Sequence, residues 1–335
     1  GCFEARMSAH MHSCFPEQRY SSCLCPHNSS THAPLPLCTP SDLCGRDRPP
    51  PRSFRRHAFG KRVAFVVALD FNRTRVRYWY RFDPFQSYAA SMRLIMRLVL
   101  SLERVRSRTP LYLLASGERH DGYESRLMAR GVSIINTTYN LKVPSWVNPF
   151  HRGSLAKLQV LSLTQFDQIV VLDQDLVVLR NIDHLAHAQA PAFVYRYKCY
   201  PTLEINSGLM VLRPNQTLHM QLQLKLARRG AVVAVHNDAS DQSVWRAFFP
   251  QIYGLPAGYN SFRTMEYGAP AEWEQVHVIH DIWKNRDQRG WSAKVGPNVS
   301  RAFNELTRAA LSALSGLPIY SKTLARGEKH AAMPF

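Results

Sequence analysis

The sequence predicts an α/β protein, a mainly parallel sheet flanked by helices. From Lys61 onward, short apolar runs rich in β-branched residues alternate with amphipathic helical segments in β-α-β-α-β order. Apolar residues make up 45% of the 335-residue chain, which is enough to bury one large core. This composition excludes collagen-like, coiled-coil and wholly disordered chains. No apolar run reaches the roughly 18 residues that a membrane span needs.

Hydrophobic periodicity defines the first elements. Residues 62–69 form an apolar, β-branched run typical of a buried strand. Between residues 88 and 102, apolar side chains recur at helical spacing, with Arg93, Arg97 and Arg104 mostly on the opposite face. Further strands are predicted at 110–115, 132–135 and 168–172, and further helices at 123–130 and 155–164.

The second half continues the pattern. Strands are predicted at 192–195, 208–212, 232–235 and 276–279, and helices at 217–229, 242–249 and about 305–313. We therefore expect a single domain over 59–315, followed by a C-terminal tail, 316–335, in which no pattern is recognisable.

Residues 1–58 have a different composition. They hold six of the seven cysteines and many prolines but no apolar periodicity. A disordered stem is the favoured interpretation, because such a segment buries too little surface to offset its ordering entropy. Three disulfides in an oxidising compartment are the alternative. A zinc site is disfavoured, since Cys23 and Cys25 are separated by one residue rather than two.

The chain carries a formal net charge of +18. Such a charge suits a polyanionic partner, such as nucleic acid, an anionic membrane surface or a phosphate-bearing ligand. No zinc-finger, helix-turn-helix or aromatic RNA-binding motif accompanies it, so no nucleic acid is expected. The chain begins at Gly1, and we expect membrane attachment only through a missing N-terminal anchor.

Two carboxylates stand between two apolar runs. Asp173 and Asp175 follow the buried strand 168–172, where ligands bind at the carboxyl edge of open α/β sheets. In an extended chain, residues i and i+2 project to the same side, so both carboxylates could converge on one cation. Oxygen ligands of this kind suit magnesium or manganese. A solvated turn is the plain alternative for an isolated Asp-x-Asp.

Seven ordered blocks resemble glycosyltransferase family 8, the glycogenin-like enzymes. They are KLQVLSLTQFD (157–167), LDQD (172–175), LRNIDHL (179–185), NSGLMVLRP (206–214), DASDQ (238–242), LPAGYN (255–260) and VHVIH (276–280). The resemblance covers about 62–291. It implies a GT-A (Rossmann-like) fold and manganese-dependent transfer of a sugar from a nucleotide sugar, usually a UDP-sugar, with retention of anomeric configuration.

The resemblance also implies roles for individual residues. Asp173, Asp175 and His280 match the metal ligands of the family. Asp241 and Gln242 match its acid and amide beside the sugar, and Lys157 its lysine near the phosphate or sugar; these three are the candidate catalytic residues. The remaining candidates are substrate-binding residues: Leu69, Asp70, Tyr88, Asn206, Ser207, Gly208 and Asp238.

Other interpretations of these residues stay open. Taken alone, His280 is consistent with a structural histidine at a strand end whose ring nitrogens are hydrogen-bonded. Asp238 or Ser240 can cap a helix, with Asp241 in its first turn. After His280 the sequence departs from the family's closing loop, whose lysine contacts the diphosphate. Lys284, Arg286 or Arg289 is expected to supply this positively charged side chain.

The expected reaction is transfer of a hexose (glucose, galactose or glucuronic acid) from a UDP-sugar to a hydroxyl of a glycan, polysaccharide or protein. The block 206–214 and the run 179–185 also resemble plant xylan glucuronosyltransferases. One alternative is an inactive family member that binds a sugar or a partner. Another is self-glucosylation at Tyr267, which lies at the glycogenin offset from Asn260. Asn-x-Ser/Thr sequons and the cysteine-rich front end favour the Golgi lumen over the cytosol.

Overall fold

The computed structural model describes residues 61–71, 84–117, 121–137, 143–147, 151–195, 205–228, 240–262, 270–281 and 295–317. The segment 1–58, the predicted strand 232–235 and nearly all of the predicted tail lie outside these residues. The domain boundaries therefore stay predictions. Across the described part of the chain, no helix has both the length and the apolar character to cross a membrane.

Within the described ranges, ten strands form two sheets. Their bounds are β1 Val63–Asp70, β2 Leu111–Ser116, β3 Ser133–Asn136, β4 Gln168–Leu172, β5 Leu176–Val178, β6 Ala192–Tyr195, β7 Ile205–Leu212, β8 Tyr253–Leu255, β9 Ser261–Phe262 and β10 Val278–His280. The large sheet has the order β3-β2-β1-β4-β7-β6-β8, and the small sheet has the order β5-β10-β9.

The large sheet is rich in parallel pairs. Strand β1 is parallel to β2 and β4, β2 to β3, and β6 to β8, while β7 runs antiparallel to both β4 and β6. Every residue of β4 is buried, which accounts for its continuous apolar sequence. The predicted α/β class with a mainly parallel sheet is confirmed.

Six α-helices accompany the sheets among the described residues. They are α1 Pro84–Arg104, α2 Asp121–Met128, α3 Gln216–Ala227, α4 Asp241–Phe248, α5 Pro270–Trp273 and α6 Pro297–Ala313. Short 3₁₀ helices cover Ser154–Ser162, Asp183–His187 and Ala257–Tyr259. The side chains of Asn215 and Ser240 cap α3 and α4 by accepting a backbone N–H from the first turn.

Alternate residues of β1 point into two cores on opposite faces of the large sheet. Phe65 and Val67 pack in the core that contains the apolar face of α1, whereas Ala64 and Val66 pack in the core that contains the 3₁₀ helix Ser154–Ser162. A third core lies behind the small sheet, where Ile279 meets α5 and α6. Both faces of the large sheet are therefore covered, as a central parallel sheet requires.

Three local expectations are wrong. The helix predicted at 155–164 is a 3₁₀ helix over Ser154–Ser162 rather than an α-helix, and the last helix begins at Pro297 rather than near 305. A proline fits that first helical position because its missing N–H would be unpaired there anyway. Arg97, expected on the polar face of α1, is 4% exposed, because Asp281 compensates its charge.

Candidate active site

The candidate site lies at the edge of the large sheet where β1 and β4 end. Asp70 closes β1, Asp173 follows β4, and antiparallel β7 begins at this same edge. The register pairs Leu172 with Leu209, and the backbone N–H of Asp173 donates to the carbonyl of Gly208 at 2.8 Å. Sheet geometry therefore brings the Asp-x-Asp segment and the start of β7 together.

Asp173, Gln174 and Asp175 form a tight turn, not an extended segment. The carbonyl of Asp173 accepts the N–H of Leu176 at 3.3 Å, and β5 starts immediately afterwards. The convergence expected from i, i+2 alternation in a strand is thus wrong in its geometry. The two carboxylates nevertheless lie near each other, because the turn folds them toward one point.

The small sheet brings His280 to the same point. Strand β10 runs antiparallel to β5 and pairs His280 with Leu176, the residue after Asp175. The Nε2 atom of His280 lies 3.3 Å from Oδ1 of Asp175 and 3.8 Å from Oδ2 of Asp173. The imidazole stacks on the ring of Phe262 with centroids 5.2 Å apart. The turn therefore contacts β7 of the large sheet through Asp173 and β10 of the small sheet through Asp175.

Gly208 allows this close approach. A Cβ at this position would lie 2.5 Å from Cε1 of His280 and 2.8 Å from Oδ1 of Asn206. Any side chain here would displace the imidazole of His280 or the amide of Asn206. Only glycine leaves enough room for both groups.

A buried lysine connects the carboxylates. The Nζ atom of Lys157, from the 3₁₀ helix Ser154–Ser162, lies 2.7 Å from Oδ1 of Asp173 and 3.3 Å from Oδ2 of Asp241. It also donates to the hydroxyl and the carbonyl oxygen of Ser207. Asp241 occupies the first turn of α4, where the helix dipole favours an anion. The expected capping arrangement and the expected proximity to the site both occur.

Burial and charge shift the pKa values of the cluster in different directions. Burial raises the pKa of Asp173, although Lys157 opposes this effect. Burial also acts to raise the pKa of Asp175, but His280 outweighs it and the pKa falls. Burial acts to lower the pKa values of Lys157 and His280, but the carboxylates outweigh it and raise both. Each pKa thus reflects its opposite charges as much as its burial.

The donor set fits a divalent cation. One ligand atom each from Asp173, Asp175 and His280 lies within 4.8 Å of the others. Neighbouring ligands of a six-coordinate cation at about 2.1 Å are about 3 Å apart, so only small side-chain movements are needed. With Asp241, the cluster has three carboxylates beside the one ammonium of Lys157, and this excess of acidic groups suits a cation. The identity of the ion stays a prediction.

An amide pair borders the cluster. The Oδ1 atom of Asn206 accepts from the backbone N–H of Gly208 at 2.8 Å and from Nδ2 of Asn260. Asn260 is 2% exposed. The sequence did not predict it as a site residue, although it ends the LPAGYN block that resembles the family. The Oε1 atom of Gln242 is buried without a hydrogen-bond partner among the described residues.

The other candidates separate into two groups. Leu69 and the buried Asp70 end β1, and Tyr88 on α1 packs against Phe71 and Tyr123 with ring centroids 4.6 and 5.6 Å apart. These predicted substrate-binding residues lie at the carboxyl end of β1. Five predicted residues lie outside the described part of the chain: Asp238, Tyr267, Lys284, Arg286 and Arg289.

The chain is similar to known proteins in both sequence and structure. No family model matches the chain. It is 31% identical over 151 residues to the uncharacterized protein R707 of Acanthamoeba polyphaga mimivirus, covering 38% of this chain and 53% of that protein. It is 29% identical over 119 residues to putative UDP-glucuronate:xylan alpha-glucuronosyltransferase 5 of Arabidopsis thaliana, covering 35% of this chain and 19% of that protein.

A third relative is galactinol synthase 1 of Ajuga reptans, 22% identical over 225 residues, with 56% of this chain and 66% of that protein covered. The chain thus spans about half of the viral relative and about a fifth of the xylan glucuronosyltransferase.

Solved structures support the fold. The bifunctional glycosyltransferase WbbM matches with a TM-score of 0.51 and 14% identity, covering 74% of this chain and 50% of that one. An active-site mutant of LgtC matches with a TM-score of 0.50 and 13% identity, covering 73% and 95%. The resemblance drawn from the motifs is confirmed: this chain is a homologue of glycosyltransferases, and its fold is the GT-A fold.

Proposed function

We propose that the protein is a retaining glycosyltransferase that transfers a hexose from a UDP-sugar to a hydroxyl acceptor, with manganese as its cation and magnesium as a substitute. The observation that carries this proposal is the cluster of Asp173, Asp175 and His280 at the carboxyl edge of a GT-A sheet. Its two carboxylates and one imidazole are ligand types that suit a divalent cation. When bound, such a cation would neutralise the diphosphate of the donor and stabilise it as a leaving group.

The chain's own residues have complementary tasks in this proposal. Lys157 lies between Asp173 and Asp241 and compensates part of their charge inside a buried site. Asp241 and Gln242 orient the sugar, and the amide of Asn206 donates to a sugar hydroxyl. The acceptor hydroxyl forms the new bond to the anomeric carbon as the bond to the diphosphate oxygen breaks, and its proton leaves with the product UDP.

The hexose and the acceptor are proposed from the relatives. Galactinol synthase and xylan glucuronosyltransferases are both homologues. Galactose and glucuronic acid, with glucose, are therefore the donors to test first. A glycan or polysaccharide hydroxyl is the proposed acceptor class, and a protein hydroxyl is the alternative.

We place the enzyme in the Golgi lumen. Asn136, Asn215 and Asn298 begin sequons, and all three side chains are exposed. Treatment of protein from secretory cells with an amidase that removes N-glycans is expected to lower its apparent mass. An unchanged mass together with a cytosolic fraction would contradict this placement.

The test of activity is cation-dependent release of UDP from a panel of UDP-sugars. The full chain is incubated with UDP-glucose, UDP-galactose or UDP-glucuronic acid in the presence of manganese, magnesium or a chelator. We expect slow hydrolysis of one donor with manganese, and none after chelation. Transfer to candidate glycans is then measured with that donor.

Variants link this activity to the cluster. Asp175→Asn and His280→Ala are expected to lower the rate by about 10²-fold or more, since each removes a proposed cation ligand. Asp167→Asn is the matched control, because it removes a carboxylate at the opposite end of β4. A donor that binds but is never cleaved would instead favour the inactive, sugar-binding alternative.

Self-glucosylation is tested separately. If labelled UDP-glucose marks the protein, mass spectrometry locates the label, and Tyr267→Phe should abolish it. Absence of label on Tyr267 in a protein that cleaves UDP-sugars would overturn the primer alternative and leave the transferase proposal intact.

A further inference from the structure

The segment that leaves β10 is held by an ion pair inside the protein. Asp281 follows His280 directly, and its Oδ2 atom lies 2.7 Å from Nη1 of Arg97 on α1. Both side chains are 5% exposed. The backbone N–H of Asp281 also donates to the carbonyl of Asp175 at 2.9 Å. Asp281 is therefore the chain neighbour of one proposed cation ligand, His280, and is hydrogen-bonded to another, Asp175.

Arg97 is itself held in place from a second direction. Its guanidinium carbon lies 4.8 Å from the ring centroid of Phe303 on α6, and Nη1 is 3.4 Å from the hydroxyl of Thr307. The Nε and Nη2 atoms are buried and have no hydrogen-bond partner among the described residues. The charge of Arg97 is thus committed to the carboxylate of Asp281.

Helix α1 makes another contact with the small sheet one turn further along. The hydroxyl of Ser101 accepts the backbone N–H of Val178 on β5 at 3.0 Å, and it donates to the carbonyl of Leu98. Ser101 follows Arg97 by four residues, so both side chains leave the same face of α1. One helix therefore fixes β5, which follows Asp175, and the exit of β10, which follows His280.

Stability alone does not explain such a pair. Removing two charges from water is so costly that buried ion pairs are commonly no more stabilising than apolar residues of the same size. What the pair supplies is direction, since the planar guanidinium fixes the carboxylate that it contacts. Ligands of a metal site need such support to within about 0.5 Å.

We propose that Arg97 and Asp281 are positioning residues that set His280 and Asp175 at the separation a divalent cation requires. This inference rests on the proposed function, because it assigns the support of the same site. It gives Asp281, at the point where the sequence departs from the family's closing loop, a role in holding the cation ligands.

The test measures binding of manganese alone by electron paramagnetic resonance of the free ion, with no donor present. The variants are Arg97→Met, Asp281→Asn and the double variant. We expect all three to raise the dissociation constant of manganese by about 10- to 100-fold, which is typical when residues that support metal ligands are lost. Arg97→Lys is expected to recover part of the affinity.

The signs of the three effects separate positioning from charge. A pure charge effect would tighten binding in Arg97→Met, weaken it in Asp281→Asn, and return it to the wild-type value in the double variant. That pattern would overturn the proposal. Unchanged manganese affinity in all three variants would overturn it as well.

A control variant separates positioning from a loss of fold stability. Gly131→Ala lowers stability through the backbone φ of +79° alone, at the turn before β3 and outside the cluster. Thermal unfolding of each variant is measured beside its manganese affinity. Equal weakening of manganese binding in Gly131→Ala would overturn the proposal. If the wild-type protein binds no divalent cation, the proposed function fails; if it binds one and the variants bind equally well, only the positioning role fails.

Discussion

The two sheets of this protein are built from different kinds of sequence. Strands β1, β4 and β7 of the large sheet have five to eight residues and are almost entirely buried. The strands of the small sheet have two or three residues, and they come from three separated parts of the chain. The large sheet is stabilised by its own apolar surface, whereas the small sheet depends on α1, α5 and α6 packed around it.

The candidate site lies on the boundary between the two sheets. Asp173 ends a strand of the large sheet, Asp175 precedes the first strand of the small sheet, and His280 ends its middle strand. The cation ligands are therefore correctly spaced only when the sheets hold a fixed relative position. Contacts that join the two sheets should affect the site more than contacts within either one.

The largest effect is expected from Lys157→Met. This change leaves the buried carboxylates of Asp173 and Asp241 without their cation, which we expect to lower the free energy of unfolding by roughly 3 kcal/mol. Since three carboxylates then lie at the site without the lysine, manganese should raise the melting temperature more in the variant than in the wild-type protein. Differential scanning calorimetry with and without manganese measures both quantities.

The matched control for Lys157→Met is Lys225→Met, a part-buried lysine on α3 whose Nζ atom donates to the carbonyl of Ala247. It removes the same group without exposing a carboxylate. An equal manganese-dependent increase in melting temperature in both variants would contradict the proposed link between Lys157 and the cation site.

The next effect is expected at the contact between the sheets. Gly208→Ala places a Cβ 2.5 Å from the imidazole of His280, so either β7 or β10 must shift. We expect a loss of about 1 to 3 kcal/mol of stability and a weaker affinity for manganese. In a His280→Ala background the loss should be smaller, because most of the obstructing atoms are gone. A double-mutant cycle on unfolding free energies measures this coupling.

Additive effects in that cycle would show that Gly208 and His280 do not obstruct each other. Gly131→Ala serves as a comparison, because there a Cβ would meet no atom within 4 Å and the cost arises from the backbone φ of +79° alone. Gly131→Ala should lower stability without changing manganese affinity.

The sequence predicted the large sheet well because each of its central strands carries its own signal. The bounds of β4 agree with the prediction, since a run of buried apolar residues ends abruptly at Asp173. Strand 276–279 was placed near its observed position, but the small sheet was not foreseen. Two- and three-residue strands have no periodicity to detect, and their pairing is decided by tertiary contacts.

Residues of the site were found for a different reason. The resemblance named Asp173, Asp175, His280, Lys157 and Asp241, and the structure brings all five together. Their functional roles stay predictions. Arg97 was placed on the polar face of α1, because helical periodicity assigns charged residues to the exposed face. Periodicity carries no information about an ion-pair partner 184 residues away, Asp281.

A smaller, pH-dependent effect is expected from Asp183→Asn. Asp183 begins the 3₁₀ helix after β5, and it accepts hydrogen bonds from Ser107 and from the backbone N–H of Arg108 in the segment before β2. It thereby joins the exit of the small sheet to the large sheet. Burial acts to raise the pKa of Asp183, but these donors, with Asn181, outweigh it and lower the pKa.

The sign of the pH dependence follows from that direction. A carboxyl whose pKa is lower in the folded state stabilises the protein above its unfolded pKa of about 3.9, and loses this contribution as the pH falls through the folded value. Asp183→Asn should lower stability by about 1 to 2 kcal/mol at pH 7. The difference between wild type and variant should shrink below about pH 4. Urea unfolding from pH 7 to pH 3 measures it, and a constant difference would contradict the assignment.

The smallest effect is expected at the opposite end of β4. Asp167 precedes this strand and pairs with Arg62 at 3.1 Å, but both side chains are well exposed, so water and salt screen the interaction. Asp167→Asn and Asp173→Asn thus remove the same charge from the two ends of one strand. UDP release by Asp167→Asn should stay within about twofold of wild type, whereas Asp173→Asn should lose about 10²-fold or more. Equal losses would mean that the charge of β4 matters, rather than its position beside the small sheet, and would remove the boundary between the sheets as the explanation of the site.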